Sequence, residues 1–284
     1  MKNRLTHIGI GLFVIIGCVP FLAAFIYALL YSFGVVGIVN TGFTTEFWTE
    51  VLGTGRLYTS FLYSAAIAAV SVLISVGIAL AFTLSFHHKL EKPGISFLMY
   101  LPLAIPGIVA AFFALQVISN TGFFSRIFYQ LGIIENAQEF PSLVNDSYAI
   151  GIILSFIAIV TPFFILLFNN VYKNEKIEKI SELSHSLGAS TFQTVFRVSI
   201  PMLLRKTGTL ISLYFLFLFG AYEVPLILGK ESPQMLSVLI VREIRQYDLT
   251  HTPEGYVIAV IYTVIVSVTV AVIFSFQKNT AHDI

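Results

Sequence analysis

The sequence predicts an all-α integral membrane protein with six transmembrane helices, on the strength of its composition and of six long apolar windows. Hydrophobic residues make up 57% of the 284-residue chain and charged residues only 11%, against about 25% charged residues in soluble domains. The mean hydropathy is +0.87. Helices are expected because lipid cannot satisfy exposed backbone N–H and C=O groups.

Each of the six windows is long enough to cross the hydrocarbon core, which takes about 20 apolar residues. The predicted spans are residues 8–31, 58–86, 95–118, 148–172, 207–228 and 256–276. The first follows Lys2 and Arg4 as a secretory signal would, but its apolar run is too long and no small-residue cleavage site follows. We therefore expect a retained first helix and one transmembrane domain over residues 1–284.

The distribution of basic residues predicts the orientation of the spans. Six spans put both termini on one side, which we take to be the cytoplasm. The Lys and Arg residues then left outside are Arg56, Arg126, Lys230, Arg242 and Arg245. The other 11 of the 16 Lys and Arg residues lie on the cytoplasmic side. This excess predicts that both termini and residues 173–205, between the fourth and fifth spans, face the cytoplasm.

Residues 173–205 are predicted to form two short amphipathic helices joined at a glycine. Apolar residues recur at helical spacing at Ile177, Ile180, Leu183 and Leu187. Gly188 is expected to end the first helix, Ser190 and Gln193 have the spacing of a capping box for the second, and Pro201 is expected to end the second. Such helices lie in a membrane interface or bind a groove on a partner, and the pattern alone leaves both open.

The same loop resembles the cytoplasmic EAA loop of the permease subunits of bacterial ABC importers. That family has Glu-Ala-Ala, three residues, Gly-Ala, and a hydrophobic residue before Pro further on. The matching residues here are Glu182-Leu183-Ser184, Gly188-Ala189 and Ile200-Pro201, with Leu183 and Ser184 in place of the two alanines.

Two further stretches extend the resemblance. Residues 101–111, LPLAIPGIVAA, are similar to the third-helix region of these permeases. Residues 219–229, FGAYEVPLILG, are similar to the fifth-helix end in the branch that handles spermidine/putrescine, sulfate, ferric iron and thiamine. Within that branch the polyamine-type permeases are the nearest resemblance.

The resemblance implies a subunit of a type I ATP-driven importer in the bacterial inner membrane, forming half of the pathway for a small polar or charged solute, with a polyamine favoured. The implied partners are two ATPase subunits, a second permease subunit (a paralogue rather than an identical copy) and an external solute-binding protein. The implied surface for ATPase coupling consists of Glu182, Leu183, Ser184, Gly188 and Ala189.

The chain carries no pattern of its own for ATP hydrolysis or other catalysis. A phosphate loop of the form G-x-x-x-x-G-K-[ST] is absent, so we expect any ATP to be bound by partner subunits. The six histidines and the single Cys18 have no metal-ligand spacing. We therefore predict a non-enzymatic subunit with no catalytic residue, metal site or cofactor. A net charge of +1 gives no indication of nucleic-acid binding.

Glu223 is the only charged residue within the six windows, and it is a candidate for the translocation path or gate. A charge at the bilayer centre costs about 2.5–3.5 kcal/mol on insertion scales. Glu223 is expected to line the path or outer gate, to pair with an Arg or a polar neighbour, or to lie at the interface and hold Tyr222–Pro225 in place. Tyr222, Pro225 and Pro106 are further candidates for the path or gate, the two prolines because proline bends helices.

A self-sufficient secondary transporter or channel is the alternative function. It would show inverted repeats and charged pairs deep in the membrane. The sequence has no clear repeat and a single intramembrane charge.

Overall fold

The computed structural model describes residues 2–38, 40, 42–90 and 92–282. Within these ranges the chain forms helices and no strands. The α-helices are α1 (Lys2–Gly17), α2 (Val19–Ser32), α3 (Glu46–Gly53), α4 (Arg56–Leu90), α5 (Pro93–Tyr100), α6 (Gly107–Ile118), α7 (Phe123–Gln130), α8 (Ile150–Asn174), α9 (Ile177–Ser186), α10 (Thr191–Thr194), α11 (Ile200–Phe219), α12 (Glu223–Leu228), α13 (Leu236–Ile244) and α14 (Thr252–His282). The all-α prediction is confirmed.

Six helical segments of the described chain are long and apolar enough to cross a membrane. They are Gly9–Ser32, Arg56–Leu90, Gly107–Gln130, Ile150–Asn174, Thr191–Phe219 and Leu249–Ser275. Their number agrees with the predicted six spans. Their bounds differ from the prediction at the third and fifth spans, where the chain leaves the helical conformation inside the predicted window.

The third predicted span, residues 95–118, is wrong as a single helix. α5 ends at Tyr100, a 3₁₀ turn covers Pro102–Ala104, and α6 begins at Gly107. The reason is the pair Pro102 and Pro106, because each lacks an N–H donor and disfavours helical backbone at the residue before it.

The fifth predicted span, residues 207–228, is displaced toward the N-terminus. A helical stretch runs from Thr191 to Phe219, and a π-helical turn at Val195–Ser199 joins α10 to α11. The expectation that Pro201 ends a helix is wrong, since Pro201 lies in the first turn of α11, where its missing N–H is tolerated. Residues 220–222 then separate α11 from α12.

The described residues fall into two compact units. One takes in those of Met1–Ser60 and Leu236–Ala271, and the other takes in those of Phe61–Met235 and Val272–Ile284.

In the larger unit α8 is the central helix, and α5, α6, α9, α11 and α12 all pack against it. Its buried face repeats every four residues, which is the spacing of one helix face. The residues of that face are Ile152, Phe156, Val160, Phe164 and Phe168. The Asp146 carboxylate accepts hydrogen bonds from the backbone N–H groups of Tyr148 (2.9 Å) and Ile150 (3.0 Å) at the start of α8.

In the smaller unit aromatic rings join helices that are distant in sequence. Tyr31 of α2 stacks on Tyr256 of α14 with ring centroids 4.2 Å apart. The short helix α3 also lies in this unit, and its Trp48 ring stacks on Phe33 at 5.3 Å.

Candidate functional site

The turn between α9 and α10 is built on Gly188. Its φ of +91° lies in the region that favours glycine. The backbone N–H of Gly188 donates to the His185 carbonyl (2.9 Å), and that of Ala189 donates to the Ser184 carbonyl (3.1 Å). A Cβ at Gly188 would meet no heavy atom within 4 Å. The backbone conformation, not crowding, therefore explains the glycine.

The second helix of this loop begins with the predicted capping box. The N–H of Gln193 donates to Ser190 Oγ (3.3 Å), and the N–H of Ser190 donates to Gln193 Oε1 (3.0 Å). Two backbone donors that the first turn leaves without helical partners are thereby satisfied. The prediction of two helices around a glycine is confirmed, although the second continues into α11.

Short polar side chains tie the two helices together. Thr194 Oγ1 donates to Ser184 Oγ at 3.2 Å, and the hydroxyls of Ser181 and Ser199 lie 3.4 Å apart. Ile177 is fully buried at the start of α9. The loop is therefore an ordered helical pair.

Four exposed apolar side chains lie on this loop, and we call them the exposed apolar patch. They are Leu183, Leu187, Phe192 and Phe196, with 63%, 87%, 70% and 55% of their surface exposed. The rings of Phe192 and Phe196 lie 4.4 Å apart. Clustered exposed apolar side chains are typical of surfaces that bind a protein or a membrane. The sequence pattern had placed Leu183 and Leu187 on one face with Ile177, which the structure buries.

The five predicted coupling residues differ in exposure. Glu182, Leu183 and Gly188 are exposed, whereas Ser184 and Ala189 are half-buried. Ser184 is engaged by Thr194 within the loop. Glu182, Leu183 and Gly188 are thus the three that a partner protein can reach most readily.

A second feature is formed where the two interrupted spans meet. α12 packs against α6, and a Cβ built on Gly107, the first residue of α6, would lie 3.7 Å from Glu223 Oε2. Glu223 is itself the first residue of α12. A carboxylate near a helix N-terminus is stabilised by the helix dipole. Glu223 therefore lies where the starts of two helices meet.

A cavity of about 230 Å³ opens beside this contact. Its lining residues are Pro102, Leu103, Ile105, Gly107, Phe156, Ile159, Val160, Tyr214, Phe217, Leu218, Ala221, Glu223 and Val224. The Tyr214 ring stacks on Phe163 at 4.2 Å. Most of the lining residues are therefore apolar. Glu223 is the charged residue among them, and the stacked Tyr214 ring forms part of the cavity wall.

The other three path candidates lie around this cavity without lining it. Pro106 is the exposed residue immediately before α6, Tyr222 is half-buried immediately before α12, and Pro225 is buried in the first turn of α12. Sequence reasoning missed Gly107 as the neighbour of Glu223. The signal available was its place after Pro106, because glycine next to proline marks an interrupted helix.

Comparisons with known proteins bear on both features. A model of the family described as "Binding-protein-dependent transport system inner membrane component" matches residues 73–282. This match includes the loop with the exposed apolar patch and the contact between α6 and α12.

Individual relatives are similar at low identity. The probable sulfate transport system permease protein cysT of Chlorokybus atmophyticus is 26% identical over 234 residues, covering 81% of this chain and 76% of that protein. CysT of a Synechocystis strain, a sulfate transport system permease protein, is 30% identical over 151 residues, covering 52% and 49%. The spermidine/putrescine transport system permease protein PotB of Haemophilus influenzae is 25% identical over 135 residues, covering 47% and 45%.

Among solved structures, a chain of a bacterial alginate ABC transporter, in complex with an alginate pentasaccharide-bound periplasmic protein, aligns with a TM-score of 0.74. The alignment covers 98% of this chain and 96% of that chain, at 13% identity. At this identity the likeness shows a shared fold alone.

Proposed function

The chain belongs to the family of binding-protein-dependent transport system inner membrane components, and we propose that it forms half of the translocation pathway of an ATP-driven importer, coupled to a separate ATPase subunit. It is a multi-pass permease component of an ABC importer. The family match favours this function over a self-sufficient secondary transporter or channel.

The observation that carries the coupling role is the exposed apolar patch. Leu187 is 87% exposed, the largest exposed fraction among the four side chains of the patch. The capping box and the bond between Thr194 and Ser184 hold the patch in a fixed orientation. A rigid apolar projection fits a groove on a partner protein. We assign Glu182, Leu183 and Gly188 to the same contact, with Ser184 and Ala189 supporting it from within.

The proposed orientation puts this loop and both termini in the cytoplasm, following the excess of basic residues there. The chain would lie in the bacterial inner membrane, in agreement with its family. ATP would be bound and hydrolysed by two partner subunits. A second permease subunit, a paralogue rather than an identical copy, would complete the pathway, and an external solute-binding protein would deliver the solute.

The proposed solute is small and polar or charged. The preference for a polyamine suggested by the sequence is not supported, because the Chlorokybus sulfate permease matches 81% of the chain and the polyamine permease 47%. Sulfate is therefore the first solute to test and spermidine the second. We assign the path to the region of the cavity at Glu223, with Tyr222, Pro225 and Pro106 holding the interrupted helices beside it.

The experiment compares two leucine substitutions in the assembled transporter. Leu187→Asp should abolish co-purification of the ATPase subunit and ATP-dependent uptake, because it puts a charge into an apolar contact. Leu131→Asp is the matched control, since Leu131 is also exposed (68%) but lies after α7. Leu187→Asp protein that still retains the ATPase and transports normally would refute the proposal.

A further inference from the structure

Two adjacent histidines near the end of α4 converge on a glutamate of α9. The Nε2 atoms of His88 and His87 lie 3.5 Å and 4.0 Å from Glu178 Oε1. One ligand atom from each of the three residues lies within 4.8 Å of the others. The backbone departs from helical geometry at Phe86, with φ −131° and ψ 16°, just before the pair.

This cluster was missed because its members are far apart in the sequence. His87 and His88 belong to α4, whereas Glu178 belongs to α9. The His87 side chain is only 20% exposed, and its ring lies 4.7 Å from that of Tyr172. The spacing of the histidines alone gives no metal pattern, since the third ligand comes from α9.

We propose that His87, His88 and Glu178 bind a divalent transition-metal ion of the zinc class. Imidazole and carboxylate are typical zinc ligands, and three protein ligands leave a fourth position for water. Tetrahedral ligands at bond lengths of about 2.0–2.1 Å lie roughly 3.4 Å from one another. The 3.5 Å contact already has this spacing. The two histidine ligand atoms, which lie within 4.8 Å of each other, need to approach, and the 4.0 Å contact to Glu178 needs to close by about 0.6 Å. Glu178 is half exposed, so its side chain can make that movement.

His87 offers its Nε2 atom to the ion, since this is the ring nitrogen that approaches Glu178. Its Nε2 atom lies 4.0 Å from Glu178 Oε1, and a bound ion would replace this long approach by bonds to both side chains.

The surroundings select the kind of metal. A cavity of about 210 Å³ at this site is also lined by Lys173, Lys176 and Lys179. Their positive charges oppose any divalent cation, and most strongly hard cations such as Mg²⁺, which bind oxygen ligands chiefly through charge. Metals that form strong bonds to imidazole nitrogen tolerate such surroundings better. Zn²⁺ should therefore bind, while Mg²⁺ should not compete.

The bound ion would link α4 to α9, the helix that carries part of the exposed apolar patch. Any effect of the metal on uptake rests on the proposed function, but metal binding itself does not. The test therefore uses this chain alone, without ATPase partners, so that its failure leaves the transport proposal intact.

The experiment is a zinc titration of the full-length chain in nanodiscs, with any histidine tag removed, followed by calorimetry. We expect one Zn²⁺ per chain, and at least about 10-fold weaker binding in His88→Ala and in Glu178→Gln. Both residues are at least half exposed, so these variants should fold. His185→Ala is the control, because His185 is an exposed histidine of the same helix that contacts the Ala189 carbonyl.

Two outcomes overturn the proposal. One is the absence of saturable zinc binding to the unmodified chain. The other is equal zinc affinity in the unmodified chain and in both ligand variants, which would mean that the ion binds elsewhere. Absorption bands of tetrahedral Co²⁺ that appear with the unmodified chain and disappear in His88→Ala would support it.

Discussion

Thr194 Oγ1 donates a 3.2 Å hydrogen bond to Ser184 Oγ across the turn at Gly188. Thr194 is 2% exposed, so its hydroxyl has no access to bulk water. The bond fixes how the two helices of the loop lie against each other. It also gives the Ser184 hydroxyl a partner within the loop.

Ser184→Ala should destabilise the loop more than the double variant Ser184→Ala with Thr194→Val. The single variant leaves the buried Thr194 hydroxyl without its partner, and an unpaired buried polar group costs about 1–3 kcal/mol. The double variant removes both polar groups, so stability should recover in part. Hydrogen exchange of residues 181–199 measures the difference. Additive effects of the two substitutions would show that the hydroxyls are not coupled.

Gly188→Val should uncouple ATP hydrolysis from uptake. The φ of +91° disfavours any side chain, and a left-handed backbone costs an L-residue about 1–2 kcal/mol. The turn should therefore relax to another angle and move the exposed apolar patch. Gly188→Asn is the control, because asparagine tolerates positive φ better than valine. The measurement is the ratio of solute transported to ATP hydrolysed in proteoliposomes, and a normal ratio in Gly188→Val would count against the role of the turn.

Alanine substitutions at three glycines of the larger unit should lower stability most where the least space is left for a Cβ. A Cβ at Gly107 would first meet Glu223 at 3.7 Å, an ordinary contact, whereas one at Gly229 would lie 2.5 Å from the Pro225 carbonyl oxygen. At Gly151 the Leu143 carbonyl oxygen would be 2.1 Å away. Gly151→Ala and Gly229→Ala should each lower the free energy of unfolding by about 1–3 kcal/mol, as substitutions at overpacked sites do. Gly107→Ala should leave it nearly unchanged. Melting temperatures in detergent check the ranking, and an equal loss at all three positions would contradict it.

Glu223→Gln should lower thermal stability slightly. It should lower uptake only as far as that loss of stability accounts for. The carboxylate lies beside the start of α6 and begins α12, and such an interaction is worth about 0.3–1 kcal/mol. Glu223→Lys should lower the melting temperature and uptake much more, since it reverses the charge at the same helix ends. Uptake and melting temperature are measured on the same preparations. Complete loss of uptake in Glu223→Gln, with an unchanged melting temperature, would instead assign Glu223 to direct solute contact.

Local patterns in the sequence predicted local structure well. The capping box at Ser190 and Gln193 and the turn at Gly188 are short-range features, because their hydrogen bonds join residues three to five positions apart. The number of apolar segments was also predictable, because the hydropathy of a segment depends only on its own residues. Pro102 and Pro106 misled the prediction because hydropathy counts them within an apolar run, although they interrupt the backbone.

Contacts between distant segments were not predictable. The approach of Glu223 to Gly107 and that of His88 to Glu178 depend on how helices pack around α8, which no spacing in the sequence encodes. The division of one apolar face into buried Ile177 and exposed Leu187 has the same origin. Helical periodicity identifies a face but not what covers each end of it.

The most direct test of the account is cysteine accessibility at Leu187. Cys18 is the only native cysteine, so Cys18→Ser with Leu187→Cys gives one thiol in the exposed apolar patch. We predict no labelling by a membrane-impermeant maleimide in intact cells, rapid labelling in inside-out vesicles stripped of the ATPase, and protection when the ATPase subunit is restored. Labelling from outside intact cells, or unchanged labelling with the ATPase present, would contradict the claim that this patch is the cytoplasmic contact with the ATPase.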